Sequence, residues 1–155
     1  VKPAIDRRSG RDQGARQSGV AAAELALVLP LFGILLLGIL EIGGMARDHQ
    51  VLQNAAREGA RFSALPDNQI RGVPAVETRI KDRIRAYLLN ENIAVAADDI
   101  AVNQNHTMVV GGVNVTASEI TIAYRRRVMF TGISNWIAMG ATSTLHGKAL
   151  FRNFY

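Results

Sequence analysis

From Leu25 to Leu40 the chain has no charged side chain. Extended to Val20 and Gly44, the apolar run covers about 25 residues, enough to cross a hydrocarbon core of ~30 Å as a helix. A run of this length leaves room for one modest further domain in a chain of 155 residues. A secretory signal peptide is the main rival reading. Signal cores run only about 7–15 residues and lead to a small-residue cleavage site, whereas this one is longer and continues into a helical pattern. The expectation is therefore a retained anchor. Pro30 is tolerable in a membrane helix, with a kink. Gly33, Gly38 and Gly43 recur every five residues, not at the four-residue spacing of a GxxxG dimer face, and read as small residues common in membrane helices.

The charges around the run orient it. Lys2, Arg7, Arg8, Arg11 and Arg16 precede it against only Asp6 and Asp12, which reads as a cytoplasmic flank under the positive-inside rule. The formal net charge of +5 would allow nucleic-acid binding, but no aromatic residues interleave these arginines for base stacking. No nucleic-acid partner is expected. The chain has no cysteine, which excludes disulfides, thiolate metal sites and cysteine catalysis.

Two carboxylates border the apolar core. Glu41, at its far end, can reach the headgroup region. Glu24, near its start, costs a few kcal/mol unless it finds a partner. Gly19 stands five residues before it. A cut after Gly19 would leave the amino group of Val20 about one and a half helical turns from Glu24. That ammonium could neutralise the carboxylate of its own or a neighbouring subunit.

These residues carry a resemblance. Gly19 followed by Val20-Ala-Ala-Ala-Glu24 resembles the prepilin-peptidase site of type IV pilin-like proteins, in which the cut follows the glycine and the glutamate is the fifth residue of the mature chain. Ala23-Glu24-Leu-Ala-Leu-Val-Leu-Pro30, Gly38-Ile-Leu-Glu41-Ile-Gly43 and Leu52-Gln-Asn-Ala-Ala-Arg-Glu-Gly-Ala-Arg61-Phe together resemble the TadE-like pseudopilins of the tight-adherence (Flp) pilus system. The resemblance covers about residues 19 to 62, with a weaker echo at Tyr124 and at Leu150-Phe-Arg152. It implies a minor pilin-like component of the bacterial inner membrane, N-terminus in the cytoplasm and C-terminal domain in the periplasm. The implied partners are the lipid bilayer, prepilin peptidase, other pilin or pseudopilin subunits and the Tad assembly machinery. The implied processing residues are Gly19, Val20 and Glu24.

Beyond the membrane, residues 47–65 continue as a helix until Pro66. Ala55, Ala56, Gly59 and Ala60 form a small-residue patch on it, with Arg57, Glu58 and Arg61 pointing elsewhere. Such a face lets another backbone approach closely. It can serve assembly with another subunit, together with Glu24, or packing on the protein's own domain, and the sequence leaves both uses open. Pro66-Asp67-Asn68 reads as a turn, and Gly72-Val-Pro74 leads into a second helix of roughly 75–90. Val76, Ile80, Ile84 and Leu88 recur every four residues as its buried stripe, opposite a charged, solvated face.

From Asp99 the periodicity changes to two. Residues 100–102, 108–110, 113–115 and 120–124 read as short strands, with Gly111-Gly112 a hairpin signal. Arg125, Arg126 and Arg127 end the last of these, where edge protection by charge is the commonest reason for such a run; phosphate headgroups or an acidic partner are the alternatives. Residues 130–139, with Ile133, Trp136 and Ile137, fit a short amphipathic helix, and about 143–151 a closing strand.

The fold class expected is α+β: a long membrane and stem helix, a second amphipathic helix and a small antiparallel sheet. The expected layout is a basic leader (1–19), a transmembrane helix (20–44), a stem helix (45–65) and a periplasmic domain (66–155). His49, His106 and His146 lack ligand spacing and read as surface or turn residues. No P-loop or GxGxxG follows a strand, and no convergent polar pocket is nominated. No cofactor and no catalysis are expected. Two further classes are distinguishable from a pilus subunit: an unprocessed single-pass periplasmic adaptor or binding module, and an exported enzyme released by signal peptidase.

Overall fold

Among the described residues the chain runs through α1 (Ser9–Ser63), α2 (Pro74–Asn90), a single 3-10 turn (Ala97–Asp99), β1 (Ile100–Val110), β2 (Val113–Arg127) and β3 (Thr142–Arg152), an α+β fold. The computed structural model describes residues 9–65, 74–127 and 142–153, with side chains from Gly19 onward. The turn expected at Pro66-Asp67-Asn68, the lead-in at 72–73 and the helix expected at 130–139 lie outside the described residues. Two compact units divide the chain, Val1–Ile42 and Gly43–Tyr155.

In the first unit, helical backbone is present from Ser9, ahead of the start expected after Gly19. Ala15, Arg16 and Gln17 are good helix formers, and no proline interrupts the segment between Ser9 and Val20. Pro30 lies inside α1.

The second unit begins with the stem part of α1, which runs to Ser63. Its core gathers Leu52, Ala55, Ala56 and Ala60 from α1, Ile80, Ile84 and Leu88 from α2, and Ile100, Ile120 and Ile122 from the sheet, all essentially inaccessible. The α2 stripe is the one its four-residue spacing dictates: Val76, Ile80, Ile84 and Leu88 are buried. Burying a large aliphatic side chain contributes about 1.5–3 kcal/mol, so this stripe fixes the rotation of α2. Its other face is solvated, with Lys81 and Glu77 paired at 2.8 Å one turn apart. Asn92 stops the helix by adopting a left-handed φ of 61°. The Ile93 N–H then bonds to the Leu88 carbonyl at 2.9 Å and the Asn92 N–H to that of Leu89 at 3.0 Å. This is a Schellman closure, with Ile93 buried beside it.

The sheet is antiparallel in the order β1-β2-β3. Gly111 and Gly112, at φ of 60° and 82°, make the tight turn between β1 and β2. Four short strands were expected over this region, but they are two long ones. The polar residues that separate them in sequence are absorbed by a β-bulge. Asn103 pairs with Glu119 and His106 with Ala117, so Gln104 and Asn105 together face Ser118.

The bulge feeds a polar knot at the end of α1. Ser63 Oγ donates to Ser118 Oγ at 3.0 Å, and Ser118 Oγ donates to Asn153 Oδ1 at 3.0 Å. Gln104 Nε2 donates to Ser63 Oγ at 3.0 Å, and Asn153 Nδ2 to the Gln104 carbonyl at 3.3 Å. Ser63, Ser118 and Asn153 are buried, and their mutual bonds remove the desolvation cost of placing polar groups there.

Two glycines set the spacing of the layers. A Cβ on Gly147 of β3 would stand 2.5 Å from the Leu52 carbonyl oxygen, and one on Gly59 of α1 would stand 2.5 Å from Ile84 Cδ1. The small-residue face of α1 is therefore occupied by α2 and the sheet of the same domain.

The arginine run needs a correction. β2 is the central strand, so Arg125, Arg126 and Arg127 protect no edge. Arg126 turns toward the stem, where its Nε donates to Asp48 Oδ2 at 3.0 Å. Arg125 and Arg127 are exposed.

Candidate processing and assembly segment

Between Leu25 and Leu40, α1 is apolar on every face. Leu27 is 80% exposed, and Leu31, Phe32, Leu35, Ile39 and Leu40 are also open. A helix hydrophobic all round is normally buried, in a core or in a bilayer. None of its most apolar window is buried within the chain, so α1 is a candidate membrane anchor.

Gly19, Val20 and Glu24 sit at its head, all exposed. On the continuous helix Val20 and Glu24 are four residues apart, which places them on one face with a rise of about 6 Å. That is little more than one turn, closer than the one and a half turns expected. An α-amino group created at Val20 would thus be a near neighbour of the Glu24 carboxylate.

Among the described residues Gly19 has no packing reason to be glycine, since a Cβ there would meet none of their atoms within 4 Å. Glycine in a helix interior costs about 1 kcal/mol against alanine. Gly33, Gly38 and Gly43 are equally open, in contrast to Gly59 and Gly147, whose space is filled. Of the residues assigned to assembly or helix packing, Glu24 is open to a partner. Ala55, Ala56, Gly59 and Ala60 are buried in their own domain.

A second polar cluster, on the sheet, was not legible in the sequence. Glu119 of β2 accepts from Lys148 Nζ of β3 and lies 2.7 Å from His106 Nδ1 of β1. His106, expected at a surface or turn, is thus a strand residue with a carboxylate neighbour. The only signal available was the polar run 103–106, which marks a bulge but not its partner. The hydrogen bond from Lys148 holds the Glu119 carboxyl below its ordinary value of 4.5, opposed by burial and aided by the Lys148 and His106 charges. A carboxyl lowered in the folded state stabilises fully above its unfolded pKa, and that contribution is lost as pH falls through the lowered folded value. Glu119→Gln should therefore melt below the unaltered protein at neutral pH, the difference shrinking under acid. Thermal unfolding of both chains across that range checks it.

Among the described residues no group of three or more His, Cys, Asp or Glu is placed to hold a metal.

An exposed apolar helix that is a candidate membrane anchor, and a small α+β domain, are thus the two units of the chain. The family model described as TadE-like protein matches residues 19–61, the anchor and stem from Gly19 to Arg61. Over that segment the chain is similar to TadE-like proteins. No curated protein and no solved structure matches it.

Proposed function

We propose that this protein is a minor, pilin-like subunit of a Flp-type pilus, with a structural role in adhesion or biofilm formation and no catalytic activity. α1 anchors it in the bacterial inner membrane, N-terminus in the cytoplasm and sheet domain in the periplasm. Prepilin peptidase removes the leader after Gly19. The new ammonium at Val20 then pairs with Glu24, in the same chain or in a neighbouring pilin or pseudopilin, as the assembly machinery takes the subunit up.

One observation carries this reading. The TadE-like match begins at Gly19, where the exposed pair Val20 and Glu24 heads a helix that is apolar on every face. A carboxylate at the edge of a bilayer is costly without a cationic partner, and a processed N-terminus supplies one.

Glu24→Ala should insert into membranes normally but fail to support pilus assembly in cells that have no other copy. Flotation of the membrane fraction and electron microscopy of surface pili measure the two halves. Normal piliation by that variant would rule out the pairing role.

A further inference from the structure

We propose that Arg125 and Arg127 dock on anionic phospholipid headgroups of the bilayer that holds the anchor. The proposal rests on the reading of Leu25–Leu40 as membrane-spanning. The observations behind it lie within the sheet domain.

β2 is the central strand, so its three terminal arginines are not explained as edge protection. Arg126 has a structural task. Its guanidinium lies over the stem so closely that a Cβ on Gly44 would be 2.6 Å from Nη2, and it also bonds to Asp48. That contact pins the end of β2 beside Gly44. Alternation along a strand sends Arg125 and Arg127 to the opposite face, where both are exposed. Among the described residues no carboxylate pairs with either. The nearby Arg47 is partnered by Glu91 at 3.4 Å. Asp98 and Asp99 precede β1, whose first residue, Ile100, pairs with Ile122, three positions short of Arg125.

The position selects the ligand. Four residues separate Gly44 from Leu40, the last residue of the uncharged run, and four residues of chain span at most about 14 Å even when fully extended. The strand end is thus tethered at the headgroup layer, where phosphates are present at high effective concentration. Long arginine side chains can reach them while their stems lie over the sheet. A soluble acidic protein would have no such tether. Each basic residue held near an anionic surface shifts the docked-to-undocked ratio roughly fivefold, so losing two should lower it on the order of 25-fold.

The absence of native cysteine makes a single introduced one unique. Thr144 is exposed and lies directly across from Arg125 on β3. Full-length Thr144→Cys carrying a nitroxide would be reconstituted in vesicles of phosphatidylcholine, alone or mixed with phosphatidylglycerol, each doped with a nickel-chelating lipid. The expected result is stronger relaxation of the label in the anionic vesicles. That gain should disappear in Arg125→Gln/Arg127→Gln and at high salt, and survive in Arg125→Lys/Arg127→Lys. Circular dichroism confirms that each variant is folded, and the lysine pair decides the matter should the glutamine pair misfold. Equal relaxation in the two compositions, or an undiminished gain in folded Arg125→Gln/Arg127→Gln, overturns the proposal and leaves the pair to an acidic protein. Failure of the unaltered chain to float with either vesicle overturns the anchoring reading itself, an outcome distinct from floating without a composition effect.

Discussion

Gly147→Ala should cost the domain about 2–3 kcal/mol, in the upper range for forcing an extra methyl into a packed core. The new Cβ would lie 2.5 Å from the carbonyl oxygen of Leu52 and 2.7 Å from its carbon. Both atoms belong to helix backbone, which no change of rotamer can move aside. β3 must then lift from the stem, and Ala149, buried two residues on, loses its packing with it. For a domain of this size each kcal/mol corresponds to several degrees, so the melting temperature should fall by about 10 °C or more. Thermal unfolding of the full chain in detergent, followed by circular dichroism, measures it. An unchanged melting temperature would mean that β3 does not approach the stem as closely as described.

Gly59 and Ile84 should behave differently because the obstruction is a side chain. A Cβ on Gly59 would stand 2.5 Å from Ile84 Cδ1 and 2.6 Å from Cγ1. Gly59→Ala gains about 1 kcal/mol of helix propensity and loses about 1–3 kcal/mol to overpacking, for a modest net loss. Ile84→Ala alone should cost about 2–5 kcal/mol through the cavity it leaves. Combined, the two should be more stable than Ile84→Ala by ~1 kcal/mol or more, since the added methyl now enters vacant space. Such a reversal of sign is the signature of direct contact in a double-mutant cycle. Simple additivity, with Gly59→Ala equally harmful in both backgrounds, would place the two residues apart.

These two glycines also mark where the sequence ceases to be legible. Gly59 was visible as part of a small-residue face, yet nothing local distinguishes a neighbour from the same domain from one in another subunit. Gly147 reads as an ordinary strand residue, because its close approach is to Leu52, far away in the chain. Periodicity served well where one face is apolar, as in the α2 stripe, and turn chemistry served well at Gly111-Gly112. It failed over residues 103–107 and 116–119, where polar side chains interrupt the alternation. Those residues form a bulge and a buried hydrogen-bonded knot, both products of tertiary contact. Arg125–Arg127 resemble an edge guard in sequence because strand order cannot be seen in one dimension. The apolar run of α1 was directly legible, since its length and lack of charge are local properties.

The claim that most directly decides this protein's role concerns the bond after Gly19. Intact mass and N-terminal sequence of the membrane-extracted protein, from cells with and without an active prepilin peptidase, test it. The predicted result is a chain beginning at Val20 only where the peptidase is active. A leader still attached in peptidase-positive cells would contradict it and point to an unprocessed membrane-anchored adaptor.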